Sequence, residues 1–277
     1  GTDGGYYYLV MEYLEGQCFD RIRKHKRYAE KFPLTMRLQM LSRILQGLHY
    51  AHELRDFDGR LLHVVHRDVT PSNIIVTYDG QVKLVDFGIA KALDSSAVTR
   101  TGVLKGKIGY MAPEQFTHSQ VDSRTDVFAV GVVLWEILTG TRVWRTNIQS
   151  EVMPRILAGQ IPTPSSVNSS VSPELEAICM KAVSVNPDER YETAKAMGAE
   201  IDAYIALHPP IVADNEIGAA LVQMFEKDRA KVLSMVDAQL SRTGGQDFPQ
   251  EMPSFGALRG KAESSSGSGK GSGEESR

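Results

Sequence analysis

The sequence contains little cysteine and no apolar run long enough to cross a membrane. Its cysteines, Cys18 and Cys179, lie far apart without His or Cys companions at metal-ligand spacing, which argues against a disulfide framework or a zinc site. The most apolar run, residues 127–138, is too short for a bilayer and includes Glu136. No charged segment followed by an apolar one opens the chain. We therefore expect a cytoplasmic protein without a membrane segment in this chain.

An excess of charge of one sign is also absent. The 277 residues include 31 Lys plus Arg and 34 Asp plus Glu, which gives a net charge of -3. This balance provides no general attraction to nucleic acid or acidic lipid, so no nucleic-acid partner is expected. The hydrophobic content of 42% is sufficient for a large buried core.

Hydrophobic periodicity predicts long helices and a few short strands. Residues 6–13 are rich in aromatic and aliphatic side chains and predict a buried strand, and residues 35–53 predict a core helix with Thr35 as its N-cap. Residues 126–138 are apolar on nearly every side, as in a helix at the centre of a domain. Further strands are predicted at residues 62–65, 74–76 and 82–85, with a turn at Asp79-Gly80, and further helices at residues 151–158, 173–183 and 194–206.

Composition divides the chain into three parts. Residues 1–206 carry the pattern of a mainly helical α+β domain, and residues 207–242 predict an amphipathic helical extension. Residues 243–277 are rich in Gly and Ser and are expected to be disordered, because little apolar surface there could offset the entropy of ordering. Since residues 1–5 lead directly into an apolar stretch, the sequence is expected to be a fragment cut within a domain.

The residues that indicate chemistry lie in two short motifs. His66-Arg67-Asp68 is followed five residues later by Asn73, and Asp86-Phe87-Gly88 follows the predicted hairpin. The Asn73 amide oxygen and the Asp86 carboxylate are hard ligands that suit Mg²⁺, and the Asp68 carboxylate can orient a hydroxyl and take its proton. A single loop Asp often only forms a turn, which is the alternative for Asp68 or Asp86 alone. The joint pattern favours a phosphoryl-transfer site.

The two motifs resemble the catalytic loop and the metal loop of protein kinases, and the resemblance extends to about residue 206. It implies a protein-kinase-like fold, here the mainly helical C-terminal lobe with a few short strands at the cleft. It also implies ATP and Mg²⁺ as cofactors, and transfer of the ATP γ-phosphate to Ser or Thr hydroxyls of protein substrates. Residues 69–73 and 104–107 look most like bacterial eukaryote-like (Hanks-type) serine/threonine kinases, and Pro71 disfavours tyrosine specificity.

The resemblance assigns roles to further residues by position. Met11 is the gatekeeper, the Glu12 carbonyl and the Leu14 amide face adenine, and Ile75 and Val85 form the apolar floor of the nucleotide pocket. For Met11 the alternative is a residue of a simple core strand. Structural roles are implied for the motif residues His66, Phe87 and Gly88, for Glu114 in an ion pair with Arg190, and for Asp126 as an anchor of the catalytic loop.

Regulation is implied by Arg67 and by two threonines. In the family, an Arg directly before the catalytic Asp binds a phosphorylated activation loop through charge-assisted hydrogen bonds. Thr99 and Thr101 match the paired threonines of bacterial members and are the preferred autophosphorylation sites, with ordinary polar loop residues as the alternative. Autophosphorylation in trans would involve a kinase dimer.

Two positions depart from the family pattern. Serine/threonine kinases usually carry Lys two residues after the catalytic Asp and Thr after the Gly of the substrate-facing loop, whereas this sequence has Thr70 and Lys107 there. We hypothesise that the two residues have exchanged roles, so that Lys107 supplies the cation and Thr70 the hydroxyl. The alternative is that Lys107 is a solvated loop lysine and the enzyme is weak or inactive.

Other function classes follow from what surrounds the motifs. No Gly-rich loop, strand lysine or helix glutamate precedes Gly1, so residues 1–277 alone are expected to show little activity. A pseudokinase or scaffold is one alternative, but the intact Asp68, Asn73 and Asp86 argue against it. A small-molecule phosphotransferase is another, and the segment at residues 112–114 argues against it.

The basic run at residues 21–27 predicts a solvated helix face, with a substrate or partner dock as the alternative.

Overall fold

Helices dominate the described part of this protein, seen here in a computed structural model. The structure describes residues 2–3, 6–7, 10–87, 107–117, 119–146 and 148–242. The chain divides into two compact units, Gly1–Glu226 and Lys227–Arg277. Gly88, Thr99 and Thr101, to which the sequence assigns roles, lie outside the described residues.

The described residues form the following elements in chain order. The strands are β1 (Thr2–Asp3), β2 (Tyr6–Tyr7), β3 (Gly16–Cys18), β4 (Ile74–Thr77) and β5 (Val82–Leu84). The helices are α1 (Phe19–Lys24), α2 (Tyr28–Lys31), α3 (Leu34–His52), α4 (Glu114–Thr117), α5 (Arg124–Thr139), α6 (Gln149–Leu157), α7 (Pro164–Val167), α8 (Pro173–Ala182), α9 (Ala194–Leu207) and α10 (Asp214–Arg242). Short 3-10 helices lie at Ile108–Tyr110 and Pro187–Glu189.

A small antiparallel sheet carries the segments that lead to Asn73 and Asp86. Its strand order is β3-β4-β5, with Gln17 opposite Val76 and Ile75 opposite Lys83. The β4–β5 hairpin is where the sequence predicts it, because β-branched residues on both sides flank the Asp79-Gly80 turn. Strands β1 and β2 pair with each other in a separate antiparallel ladder.

The core lies around α5, whose residues from Thr125 to Leu138 are all buried. Such a helix cannot be amphipathic, because every face contacts the protein interior. Helix α3 has the expected one-sided pattern and buries Leu38, Leu41, Leu45 and Leu48. The mainly helical α+β class that the sequence predicts is therefore confirmed.

Three local predictions are wrong. In the stretch at residues 6–13, Tyr6–Tyr7 is a strand, but the described residues 10–13 are not, and Val10 and Met11 are 82% and 67% exposed. An apolar run becomes a buried strand only where another strand pairs with it, and no described strand pairs with residues 10–13. Thr35 is not an N-cap, because α3 begins at Leu34 with Pro33 at the capping position.

The third wrong prediction is the strand at residues 62–65. The structure has instead an isolated bridge between Arg55 and Leu61, around a turn that Asp56 holds. The Asp56 carboxylate accepts hydrogen bonds from the main-chain N–H groups of Asp58 and Arg60, both at 2.9 Å. A side chain that satisfies the turn in this way competes with an extended ladder.

Helix α10 lies within the helical extension predicted at residues 207–242, and its first turns belong to the first compact unit. Val212 just before the helix is buried, as are Ile217, Leu221, Met224 and Phe225 within it. The backbone at Phe225 departs from helical geometry, with φ -124° and ψ 23°. Among the described helices, none is both long and apolar enough to cross a bilayer.

Candidate active site

One buried carboxylate fixes the main chain of the predicted catalytic loop. Asp126, in the first turn of α5, is 1% exposed and accepts hydrogen bonds at 2.8 Å from the backbone N–H groups of His66 and Arg67. The His52 Nε2 also lies 2.8 Å from the Asp126 carboxylate. Because α5 is packed on every side, these bonds transfer its rigidity to the loop.

Arg67 has a backbone conformation that needs such support. Its φ of 61° lies in the left-handed region, which costs a non-glycine residue about 1–3 kcal/mol. The Arg67 N–H is held by Asp126, and its carbonyl accepts a hydrogen bond of 3.1 Å from Gln115 Nε2. The turn immediately before Asp68 is therefore fixed from both sides.

His66 connects the catalytic loop to the metal loop. Its Nε2 lies 3.0 Å from the Val85 carbonyl, and its Nδ1 lies 3.3 Å from the Asp68 backbone N–H, which must donate. This geometry requires the neutral tautomer with the proton on Nε2. Burial lowers the pKa of His66 and outweighs the carboxylates of Asp126, Asp68 and Asp86, which favour protonation. The Phe87 ring packs on His66 with 4.4 Å between ring centroids.

Asp68 and Asn73 form a buried pair at the centre of the site. The Asn73 side-chain N–H₂ donates to the Asp68 carbonyl at 2.8 Å and to its carboxylate Oδ2 at 3.0 Å. Lys107 Nζ donates to the same Oδ2 at 2.6 Å. The Asp68 side chain is 9% exposed and that of Lys107 is 33% exposed. The negative Asp68 and the positive Lys107 thus meet although they lie 39 positions apart in the sequence.

The donor set suits a divalent cation held together with a nucleotide. Both partners of the Asn73 amide group are acceptors, so Nδ2 must face them and Oδ1 must point away from Asp68. The Asn73 carbonyl accepts from Val85 N–H at 2.9 Å, which holds the start of the Asp86 loop against the catalytic loop. Asp86 itself is exposed, with φ 61°. Asn73 Oδ1 and Asp86 would hold Mg²⁺, since both are hard oxygen ligands.

Thr70 lies in the same loop and has an unused hydroxyl. It is 3% exposed, and its Oγ1 has no hydrogen-bond partner among the described residues. Its carbonyl accepts from the Asn73 N–H at 2.9 Å, which closes the turn between Asp68 and Asn73. An unpaired buried hydroxyl is costly, so its presence next to Asp68 suits a role in binding.

Glu114 and Arg190 form the buried ion pair that the sequence predicts. Arg190 donates two hydrogen bonds to the Glu114 carboxylate, each 2.8 Å long, and Thr125 Oγ1 donates a third at 2.6 Å. Burial raises the pKa of Glu114, but the bonds from Arg190 and Thr125 outweigh it and lower the pKa below its usual value. The pair thus fastens the end of the loop that carries Lys107 to α5.

The predicted adenine-contacting residues are only partly enclosed. Leu14, Ile75 and Val85 are half-buried, while Met11 is 67% exposed. The Glu12 side chain forms an ion pair of 2.7 Å with Lys83 of β5.

Several contributing residues are missed by sequence reasoning. His52 and Gln115 hold the catalytic loop but belong to no motif. Tyr110 donates a hydrogen bond of 2.8 Å to the buried Glu136, which also pairs with Arg23 at 3.2 Å. Arg23 is part of the basic run, and Lys24 and Arg27 of that run are paired with Asp20 and Glu30. Helical spacing indicates only that such residues face inward or outward, not which partner they meet.

His66, Asp68 and Asn73 lie together in one loop, as the resemblance to protein kinases implies, and the comparison with protein families agrees with that resemblance. The protein kinase domain family matches residues 2–200. The chain belongs to this family.

Three curated bacterial relatives are similar to the chain. Tyrosine-protein kinase MasK of Myxococcus xanthus is 42% identical over 230 residues, which cover 83% of this chain and 36% of MasK. Serine/threonine-protein kinase PknL of Mycobacterium tuberculosis is 35% identical over 205 residues, covering 73% of this chain and 48% of PknL. Serine/threonine-protein kinase PrkC of Bacillus subtilis is 30% identical over 250 residues, covering 87% of this chain and 36% of PrkC. The chain thus spans less than half of each relative.

A solved structure shows the same fold. The kinase domain of PknI from Mycobacterium tuberculosis, crystallised as a double mutant, matches with a TM-score of 0.51 and 21% identity, covering 70% of this chain and 64% of that chain. The protein-kinase-like fold and the resemblance to bacterial Hanks-type kinases are therefore confirmed.

Proposed function

We propose that this chain carries the catalytic loop of a serine/threonine protein kinase that transfers the γ-phosphate of ATP to protein hydroxyls. One observation carries the proposal: Asn73 holds the Asp68 carboxylate and carbonyl together, and the Val85 N–H ties the Asp86 loop to Asn73. Asp68 is thus bonded to the Asn73 side chain, and the loop that carries Asp86 is bonded to Asn73 through the main chain. A pseudokinase or scaffold would have no need of this arrangement.

Each residue has a distinct task in this proposal. Asp68 accepts a hydrogen bond from the substrate hydroxyl, orients it and takes its proton as the phosphoryl group arrives. Asn73 Oδ1 and the Asp86 carboxylate hold Mg²⁺, which when bound neutralises charge on the phosphates. Ile75 and Val85 form the apolar floor under adenine, with Met11, Glu12 and Leu14 at its edge.

Lys107 and Thr70 take exchanged positions in this site. Lys107 Nζ lies 2.6 Å from Asp68 Oδ2, where it stabilises the carboxylate in the resting state. A lysine head group on a flexible stem can move from there to a phosphoryl oxygen as charge develops on it. The Thr70 hydroxyl, unpaired among the described residues, supplies the donor that the family Thr provides from the other loop.

Regulation and setting complete the proposal. Arg67 would bind phosphate on Thr99 or Thr101, formed by autophosphorylation in a kinase dimer, and so order the activation segment. Such signalling fits a cytoplasmic domain.

Tyrosine as acceptor is the second candidate, favoured by one comparison. The relative that is 42% identical is named a tyrosine-protein kinase, and this chain lacks the family Lys two residues after Asp68. Phosphoamino-acid analysis of the autophosphorylated intact protein separates the two candidates. We expect phosphothreonine and phosphoserine, and phosphotyrosine as the main product would overturn the acceptor class.

The reaction is tested with Asp68→Asn in the intact protein that carries this chain. Asparagine keeps the shape and loses the proton acceptor, so transfer from Mg-ATP should fall by about 10²- to 10⁴-fold. Nucleotide binding, measured by equilibrium titration, should be retained. A wild-type protein that binds nucleotide without transferring phosphate would instead support the scaffold alternative.

A further inference from the structure

The segment after α9 contacts the turn of the β4–β5 hairpin main chain to main chain. Gly80 in this turn has a φ of 90°, and a Cβ there would overlap the backbone of Asp214. Gly218, one helical turn later in α10, faces the same turn, and a Cβ on it would overlap the Tyr78 carbonyl oxygen and lie 3.0 Å from Gly80 N. Two glycines thus let helix and turn touch with no side chain between them.

Polar side chains of α3 join the two partners. Arg43 donates a hydrogen bond of 3.1 Å to the Gly80 carbonyl and forms an ion pair with Asp214. Gln39, which is buried, accepts from the Val212 N–H at 3.0 Å and donates to the Val212 carbonyl at 3.2 Å. Both backbone groups of Val212 are therefore satisfied by a side chain whose position α3 fixes.

Apolar side chains secure the same segment. Ile217 and Leu221 are fully buried, and the Phe225 ring lies 5.1 Å from the His25 ring and 5.4 Å from the Arg21 guanidinium. We call residues 212–226 the C-terminal brace. It lies beyond residue 200, where the family match ends.

The hairpin that the brace holds leads directly to the predicted metal ligands. Asn73 immediately precedes β4, and Asp86 lies two residues after β5. The ladder continues to that end, with Ile74 opposite Leu84 and the Val85 N–H bonded to the Asn73 carbonyl at 2.9 Å. Because paired strands move together, a displacement of the turn reaches both ligands.

We propose that the C-terminal brace positions Asn73 and Asp86 by holding the Tyr78–Gly80 turn, so that it is a working part of the catalytic domain. The inference rests on the proposed function only in taking these two residues as Mg²⁺ ligands. Gly218 and Arg43 are then positioning residues, which act on the metal site through the hairpin.

A matched pair of glycine substitutions tests the proposal. Gly218→Ala places a methyl group on the Tyr78 carbonyl, whereas Gly47→Ala, also inside a helix, meets no atom of the described chain within 4 Å. Both changes raise helix propensity equally, so a difference between them reports the contact. We expect amide hydrogen exchange at Gly80 and Val85 to speed up at least about tenfold in Gly218→Ala and to stay unchanged in Gly47→Ala.

Metal dependence of the intact protein gives the second readout. Gly218→Ala should raise the Mg²⁺ concentration for half-maximal transfer several-fold and leave kcat at saturating Mg²⁺ nearly unchanged. Arg43→Met, which removes the bond to Gly80 without crowding, should change both readouts in the same direction by less, and it replaces Gly218→Ala if that variant does not fold.

The outcomes separate this inference from the proposed function. Unchanged Val85 exchange in both variants, or faster exchange at Gly80 with unchanged Val85 exchange and Mg²⁺ dependence, would overturn the positioning role. A protein that never transfers phosphate but shows the Val85 response would remove the proposed function and still support the brace.

Discussion

Two ion pairs in this lobe, Glu114–Arg190 and Asp68–Lys107, differ in how many N–H donors of the cation are hydrogen-bonded. Arg190 is fully buried and uses all five of its N–H groups, two toward Glu114 and three toward the carbonyls of Ser184, Arg124 and Val185 at 2.8–3.1 Å. Lys107 is one-third exposed and makes one hydrogen bond, to Asp68, among the described residues.

The difference separates a structural ion pair from one that can exchange partners. A buried guanidinium whose donors are all hydrogen-bonded would lose those bonds if it moved, and loss of its carboxylate partner leaves an unpaired buried charge. An ammonium with two further donors and access to solvent can leave a carboxylate for a phosphate at little cost. The comparison predicts that the first pair governs stability and the second governs catalysis.

Glu114→Ala should have the largest effect. It leaves the Arg190 guanidinium buried without its carboxylate, so the free energy of unfolding should fall by about 3–5 kcal/mol. Urea denaturation of the purified chain measures this. Glu30→Gln, which alters the exposed pair between Arg27 and Glu30, is the control and should give no measurable change. Equal effects of the two changes would contradict the distinction.

Lys107→Met should show the opposite profile. In the intact protein we expect phosphate transfer to fall by about 10²- to 10³-fold, because a cation aimed at developing charge is lost. The free energy of unfolding should change by less than about 1 kcal/mol, since the lysine is partly solvated.

The double variant Thr70→Lys with Lys107→Thr sharpens this test. It restores the usual family arrangement, so its rate of phosphate transfer should be at least about tenfold higher than that of Lys107→Thr alone. Near-normal transfer by Lys107→Met, or a double variant worse than both single ones, would show that Lys107 is only a solvated loop residue.

The Glu114–Arg190 pair and Asp68 could be predicted because each residue stands inside a motif with fixed spacing, whereas Lys107 departs from the family pattern at its position. Glu114, Arg190, Asp126 and Asp68 take their roles from position in the chain, and helix periodicity placed α3 and α5 well. What could not be predicted depends on partners far apart in sequence. His52 lies 74 residues from Asp126, and its inward spacing does not show which carboxylate it meets.

Strand pairing and close contacts between backbone segments were the hardest features to predict from the sequence. Residues 10–13 are mostly apolar, yet pairing rather than composition decides whether they form a strand. Gly218 in a helix suggests only a weak helical position, and its contact with Tyr78 becomes visible only when both are placed in space.

Thr125→Val tests how much the Glu114–Arg190 ion pair depends on the additional hydrogen bond that Thr125 donates to Glu114. Valine keeps the shape of the buried threonine but removes the 2.6 Å bond to Glu114. Arg190 still holds the carboxylate, so the expected loss is about 1.5–3 kcal/mol, the worth of a hydrogen bond to a charged group. Thermal denaturation measures it, with Thr139→Val as control, which removes a hydrogen bond from a half-buried threonine of α5 to a main-chain carbonyl and none to a charged group. A loss as large as that of Glu114→Ala would mean that the threonine, not the arginine, is the main partner.

The smallest predicted effect is that of acidification, which should weaken the predicted catalytic loop at a higher pH than the Glu114–Arg190 ion pair. The folded-state pKa of His66 lies below 6.5, so its stabilising contribution is complete above pH 6.5 and is lost as pH falls below that value. The pKa of Glu114 is lowered from 4.5, so its contribution is lost only at more acidic pH.

Urea denaturation of wild type and His66→Gln at pH 7.5, 6.5 and 5.5 gives the measurement. A single group changes the free energy of unfolding by at most about 1.4 kcal/mol per pH unit, and His66→Gln should show a smaller slope than wild type. Glu114→Gln should keep the wild-type slope in this range. Since protonation of Nδ1 removes the acceptor of the Asp68 N–H, exchange of that amide should rise over the same interval. A slope that vanishes in Glu114→Gln instead would place the first acid-sensitive contact at the ion pair rather than in the catalytic loop.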